Sequence, residues 1–181
     1  MIWPLKKGKD NHVPDDGTEG GFLEDRLDRV HCGVDLYASK GDLIHGIENG
    51  KVVDVSVFTS SDMIPYWNTT FQVLILSDSG LFYRYAELED TFIEKDQIIK
   101  EGDVIGSVGQ VLNPDAVHMD SPEYIKRLVT KGNLSMLHLE IYTMSPPESS
   151  WYRGGNWFGK DLPNGLKNPR DILNKIDVTM I

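Results

Sequence analysis

The feature that most limits what this chain can become is a dense run of short β-like segments broken by turn residues. They lie at 31–37, 43–58, 71–78, 81–88, 103–108 and 136–143. Their punctuation is hairpin-like: Glu48-Asn49-Gly50 and Asp78-Ser79-Gly80 both sit between apolar runs. Phe71-Gln72-Val73-Leu74-Ile75-Leu76 is nearly all apolar and predicts a central strand covered on both faces. Leu81-Phe82-Tyr83-Arg84-Tyr85 then pairs with it across the Ser79-Gly80 turn. The stretch from Asp96 to Gly109 carries the glycine punctuation of a tight β-corner.

Helical signals are few. Ser121 as a cap, Pro122 and Glu123 in the first turn, and Gly132 after Lys131 predict a helix over about 122–130. A second short helix is expected near 169–176, after Asn168-Pro169. The fold class is therefore mostly β and antiparallel, with one or two short helices. Residues 1–30 are polar and read as a leading loop; 31–181 read as one domain, with a late loop at 145–167 rich in proline, glycine and aromatics.

A chain of 181 residues, 40% hydrophobic, supports one real core. Its net charge of −10 repels phosphate backbones, so sequence-independent nucleic-acid binding is not expected. The single cysteine, Cys32, excludes an internal disulfide framework. No run approaches the ~20 apolar residues of a membrane span. The opening Met1-Ile2-Trp3-Pro4-Leu5-Lys6-Lys7 has no apolar signal region. Either the protein stays in the cytoplasm, or a leader was trimmed and it works in the periplasm or outside the cell.

Two constellations carry chemistry. In His31-Cys32-Gly33-Val34-Asp35, alternation points His31, Gly33 and Asp35 one way, and Cys32 and Val34 into the core. Fully extended, positions four apart lie roughly 13 Å from one another, too far to share a metal. Gly33 is where the backbone can bend and close that gap. In Met136-Leu137-His138-Leu139-Glu140-Ile141-Tyr142, Leu137, Leu139 and Ile141 form the buried face, and Met136, His138 and Glu140 share the exposed one. A metal held by His31 and Asp35 would give His138 a partner. Two histidines and a carboxylate fill three corners of a tetrahedron and leave the fourth open, as in catalytic zinc sites. Manganese, cobalt or nickel also suit this set. The bland alternative is a surface histidine and an aspartate in a turn.

The order of the motifs adds to this. His31-Cys32-Gly33-Val34-Asp35-Leu36 resembles the His-x-Gly-x-Asp opening of the LytM/lysostaphin-type zinc metallopeptidases. Gly41 through Glu48-Asn49-Gly50-Lys51-Val52-Val53, Tyr85-Ala86-Glu87-Leu88, the Lys100 to Gly109 corner and Met136-Leu137-His138-Leu139-Glu140-Ile141 are similar to that family's later motifs, in the same order. Asn168-Pro169 is similar to its usual domain end. The resemblance covers roughly residues 28–144 plus that tail. It implies an antiparallel β sandwich or barrel (the duplicated hybrid motif) with a groove over one zinc ion. It implies His31, Asp35 and His138 as ligands, and hydrolysis of peptide bonds in peptidoglycan.

The departures are specific. The family has further histidines where this chain has Glu87 and Met136. Methionine neither donates a hydrogen bond nor moves a proton. Glu87 can act as a general base, but while ionised it cannot donate to an oxyanion. Loss of one oxyanion donor costs on the order of 100–1000-fold in rate. An insertion over about 110–134 carries His118, which could reach the metal as a fourth ligand or proton-transfer group; otherwise it is a loop histidine. The expected function is a zinc-binding, peptidase-like module with weak, altered or absent turnover and a binding or scaffold role, its partner a peptidoglycan peptide or another protein. The alternative is an active endopeptidase using Glu87 or His118, and a hydrolase of a different small substrate stays open.

Lesser candidates complete the reading. His45 reads as structural and Cys32 as packing. His12, Asn11, Asp15 and Asp16 in the leading loop could reach or block the metal's open position. Trp151, Tyr152, Trp157 and Phe158 could bind a ligand or clamp the late loop onto the sheet.

Overall fold

The computed structural model describes residues 1–5 and 12–176. Its strands are β1 (Val30–His31), β2 (Val34–Tyr37), β3 (Leu43–His45), β4 (Gly50–Thr59), β5 (Thr70–Ser77), β6 (Phe82–Thr91), β7 (Ile98–Ile99), β8 (Val104–Gln110), β9 (Ser135–Tyr142), β10 (Tyr152–Arg153), β11 (Asn156–Trp157) and β12 (Leu166–Lys167). Two short helices join them, α1 (Glu123–Lys131) and α2 (Arg170–Leu173).

The main sheet runs β12-β9-β8-β6-β5-β4-β7, with β2 added on β9 and β3 on β8. It is antiparallel and curls into a half-barrel. A small second sheet, β1-β11-β10, ties the start of the domain to the late loop. The Asp78-Ser79-Gly80 turn makes the expected hairpin, pairing β5 with β6 from Leu76 opposite Phe82 onward. Glu48-Asn49-Gly50 turns the chain without making one. The segment 43–58 divides there, β3 pairing with β8 and β4 with β5.

The core gathers Val34 and Leu36 of β2, Val73 and Ile75 of β5, Tyr83 and Tyr85 of β6, and Leu137, Leu139 and Ile141 of β9. The leading loop belongs to it: Trp3, Leu5, Val13 and Phe22 are all buried there. β5 is central but not covered on both faces, since Leu76 is exposed. β9 departs the other way. Met136, His138 and Glu140, read as the exposed face, are buried too.

Helix α1 ends as expected, Gly132 taking a left-handed φ of 71°. Its start differs. Pro122 occupies the cap without a side-chain hydrogen bond, and Ser121 Oγ instead accepts from the His118 amide. Ile125 and Leu128 of α1 pack with Trp67, Val111, Leu112 and Met136 in a second apolar cluster. That cluster seats the insertion over the sheet beside His138.

Candidate metal centre

β1 and β2 are one interrupted strand. The break at Cys32-Gly33 turns His31 back toward Asp35, bringing Nε2 to 3.1 Å from Oδ1. Glycine is required there: a Cβ on Gly33 would lie 2.3 Å from the Leu139 carbonyl and 2.9 Å from the His138 ring. β2 pairs with β9 so that Asp35 faces His138 directly, and His138 Nδ1 lies 2.9 Å from Asp35 Oδ1 and 3.0 Å from His31 Nε2. The three residues offer one ligand atom each within a common sphere, all buried.

The spacing fits a metal. Ligands about 2.0–2.1 Å from a tetrahedral ion sit about 3.3 Å from one another, slightly wider than the 2.9–3.1 Å separations here. The other ring nitrogens point to the same conclusion. His31 Nδ1 donates to the Gly21 carbonyl at 2.8 Å, and His138 Nε2 donates to Glu140 Oε1 at 3.0 Å. Metal-binding histidines commonly anchor their remaining N–H on a carbonyl or carboxylate in this way. His31 Nε2 and His138 Nδ1 are thereby directed at Asp35.

Glu140 is the hub behind the site. It accepts from Arg84 Nη1 at 2.6 Å, Tyr142 Oη at 2.9 Å and Tyr152 Oη at 2.7 Å. Burial opposes its charge, but Arg84 and His138 hold it down to about 2. His138 behaves oppositely. Burial opposes its charge, but the hydrogen bonds it donates to Asp35 and Glu140 push it up to about 9. Its Nδ1 lies within hydrogen-bonding reach of both Asp35 Oδ1 and His31 Nε2. Burial keeps His31 below its ordinary value, and Asp35, despite burial, is held well below the usual carboxylate range by His31 and His138.

Glu87 reaches the site through a β-bulge. Gln72 pairs with Ala86 and Phe71 with Leu88, leaving Glu87 as an extra residue with φ 64°. It lines a small cavity with Asp35, Arg26 and Met136. Its Oε2 is buried without a partner. Burial and then the Asp35 charge push its carboxyl up to about 8. It is therefore protonated at neutral pH and can donate a hydrogen bond, unlike the ionised carboxylate expected from sequence.

The space beside Asp35 is small. The cavity there measures about 30 Å³ and is lined by Arg26 of the leading loop and by Tyr124, Ile125 and Leu128 of α1. Arg26 fastens this cover. It donates to Glu24 Oε2 through Nε at 3.0 Å and Nη2 at 2.8 Å, to Asn156 Oδ1 at 2.9 Å, and to Asp35 Oδ2 at 3.3 Å. Its guanidinium also lies 5.1 Å from the Tyr124 ring centre.

The remaining candidates fall away from this centre. His118 is exposed in the loop before α1 and is not in the group of possible ligands. His45 Nδ1 donates to the Gly102 carbonyl, a structural contact. His12 is exposed, Asp15 and Asp16 pair with Arg170, and Asn11 lies outside the described residues. Cys32 is buried, its thiol pushed up by burial. The late loop clamps: Tyr152 holds Glu140, Trp157 is buried, and Phe158 stacks under Arg29 at 4.5 Å, while Trp151 stays exposed. Gly155 sits on the His138 ring, where a Cβ would come within 2.6 Å. Sequence reasoning missed Arg26, Glu24, Arg84 and Asn156, which approach from distant elements. Only Glu140, two residues from His138 on one face, carried a readable signal.

Comparison with curated proteins finds no match. Among solved structures, the catalytic domain of lysostaphin from Staphylococcus simulans shares 16% identity, covering 80% of each chain with a TM-score of 0.51. LytU shares 18% over 92% of this chain and 86% of its own, with a TM-score of 0.52. A chain of the SpoIIIAH and SpoIIQ complex shares 17% over 94% and 98%, also at 0.52. These likenesses establish the fold. The family model of Peptidase family M23 matches residues 29–124, more than half of the chain. With the motif order and the curled antiparallel sheet, that match places this protein in Peptidase family M23.

Proposed function

We propose that this domain binds one zinc ion through His31, Asp35 and His138 and serves as a binding or scaffold module with little or no peptide hydrolysis. The observation that carries this is the small volume of the pocket beside Asp35. About 30 Å³ holds roughly one water molecule, not a peptide bond. Met136 supports the same reading. Where the family keeps a histidine, this side chain helps seat α1 over the site. Replacement and insertion are thus two parts of one packing arrangement.

When bound, zinc supplies a Lewis acid for a carbonyl oxygen and lowers the pKa of water. The chain's own residues here do mainly orienting work. Glu140 and the Gly21 carbonyl fix the two rings, Arg26 holds the second oxygen of Asp35, and α1 excludes solvent. The fold is shared with a chain found in a two-protein complex, which suits another protein as partner.

One observation favours a second reading, an endopeptidase acting on peptidoglycan peptides. Glu87 Oε2 is unpartnered and lines the pocket, as a proton-transfer group would once α1 and Arg26 moved aside.

Two measurements test the proposal. Purified protein is expected to carry one equivalent of zinc and to release no peptides from peptidoglycan. Release that disappears in Glu87→Gln would establish the peptidase instead, and absence of zinc after gentle purification would refute both readings.

A further inference from the structure

The carboxylate of Asp35 turns one oxygen to the histidines and the other to a guanidinium. Oδ1 lies 2.9 Å from His138 Nδ1 and 3.1 Å from His31 Nε2. Oδ2 accepts from Arg26 Nη2 at 3.3 Å. The backbone of the same leading loop holds the strand, since the Asp35 amide donates to the Gly20 carbonyl at 2.8 Å. A carboxylate can give a metal one oxygen or both, and the second raises the coordination number by one. To offer both, Asp35 would have to give up Arg26.

Arg26 is built to stay. Its side chain is 9% exposed. Glu24 Oε2 accepts from Arg26 Nε at 3.0 Å, from Nη2 at 2.8 Å and from the Gly20 amide at 3.1 Å. Arg26 Nη1 donates to Asn156 Oδ1 at 2.9 Å, and Asn156 Nδ2 donates in turn to the Gly154 carbonyl at 2.7 Å. Asn156 lies opposite His31 in the β1–β11 pairing. The loop accepts backbone strain to deliver this side chain. Leu23 and Leu27, on either side of it, take φ of 58° and 75°, a left-handed conformation costly for any residue but glycine. Glu24 balances the charge of Arg26, so the guanidinium supplies its donors without a net positive charge beside the ligands. Outer partners of this kind orient metal ligands and tune the metal they hold.

We infer that Arg26 is a positioning residue that selects the metal: by holding Oδ2 it keeps Asp35 a one-oxygen ligand. That suits the tetrahedral preference of zinc. It penalises manganese, which prefers an octahedral, oxygen-rich set and gains from a second carboxylate oxygen. The inference rests on the reading of His31, Asp35 and His138 as a zinc site, and names what tells one divalent ion from another there.

The test compares zinc and manganese affinities of the full chain. Competition with a chromophoric chelator reads zinc, and fading of the free-ion paramagnetic resonance signal reads manganese. The variants are Arg26→Met and Glu24→Gln/Arg26→Met. Methionine has no donor for Oδ2, and the double variant leaves no unpaired Glu24 charge in the interior. In both, the zinc-over-manganese ratio of affinities is expected to fall at least about tenfold, within the range for lost partners of metal ligands. A changed charge or a loosened fold moves both divalent ions together and cancels in that ratio. Cobalt gives a second readout. The unaltered protein loaded with cobalt is expected to show the intense visible bands of a tetrahedral site, and the variants the weaker bands of a site with one more ligand. The spectrum of the unaltered protein decides even if neither variant folds. An unchanged ratio in a folded variant, or weak cobalt bands in the unaltered protein, would overturn the inference and leave the zinc reading in place. Absence of zinc from the unaltered protein would overturn the zinc reading and the inference with it.

Discussion

His138 Nε2 donates to Glu140 Oε1 at 3.0 Å, leaving Nδ1 alone to face Asp35 and His31. That bond fixes both the tautomer and the ring. Glu140→Gln is therefore expected to lower zinc affinity by about 10–100-fold, the usual effect of losing such a partner. Competition with a chromophoric chelator measures it. Unchanged affinity would mean that the ring is oriented by packing alone.

Zinc uptake should release a proton. His138, raised to about 9, carries the Nδ1 proton at neutral pH, and a metal must displace it. Affinity is expected to rise about tenfold per pH unit from pH 7 toward 9 and then flatten. Calorimetry in buffers of different ionisation enthalpy should find about one proton released per zinc at pH 7.5 from this group.

Glu87 makes the metal-free protein pH-sensitive in a defined direction. Its folded-state pKa of about 8 lies above the ordinary 4.5, so the folded state holds more protons between those values. Its contribution is complete below pH 4.5 and is lost as pH rises through 8. Glu87→Gln removes the loss. The variant's stability advantage in urea should grow from pH 5 to 8 and level off above, and a constant difference would contradict this.

Gly155→Ala should be far more damaging than Gly17→Ala. Both have positive φ, 76° and 73°, which costs about 1–2 kcal/mol for alanine. Only Gly155 also meets the His138 ring; Gly17 has nothing within 4 Å. Thermal melts should show a modest drop for Gly17→Ala, and for Gly155→Ala a larger one with loss of zinc.

Met136→His would restore the residue type of the family and should not restore cleavage. The imidazole would enter a cluster of Trp67, Ile125 and Leu128 with α1 still in place. A loss of about 1–3 kcal/mol in stability is expected for an unpartnered buried polar group. Peptide release by this variant would show that α1 leaves the groove in solution.

The strands and the grouping of His31, Asp35 and His138 were legible because each is written locally. Alternation marked the inward residues of β9, and Gly33 marked the bend between His31 and Asp35. The burial of His138 and Glu140 was not legible, because the cover comes from Tyr152, Arg26 and α1, far away in sequence. Glu87 could be placed beside the site but not given its protonation state, which depends on enclosure. His118 sits on the insertion that covers the pocket, yet the segment presents Ile125 and Leu128 to the centre and leaves this histidine outside.

His31 and His138 stand 107 residues apart, and a single ion touching both would close a loop of that length. In chain-entropy terms such a closure resembles a disulfide, worth about 5 kcal/mol for a loop near 100 residues. This protein has one cysteine and cannot make that bond. Even without turnover, the ion would be a reversible cross-link between an early and a late segment of the chain that lie side by side, and the availability of zinc would set how firmly the domain is tied.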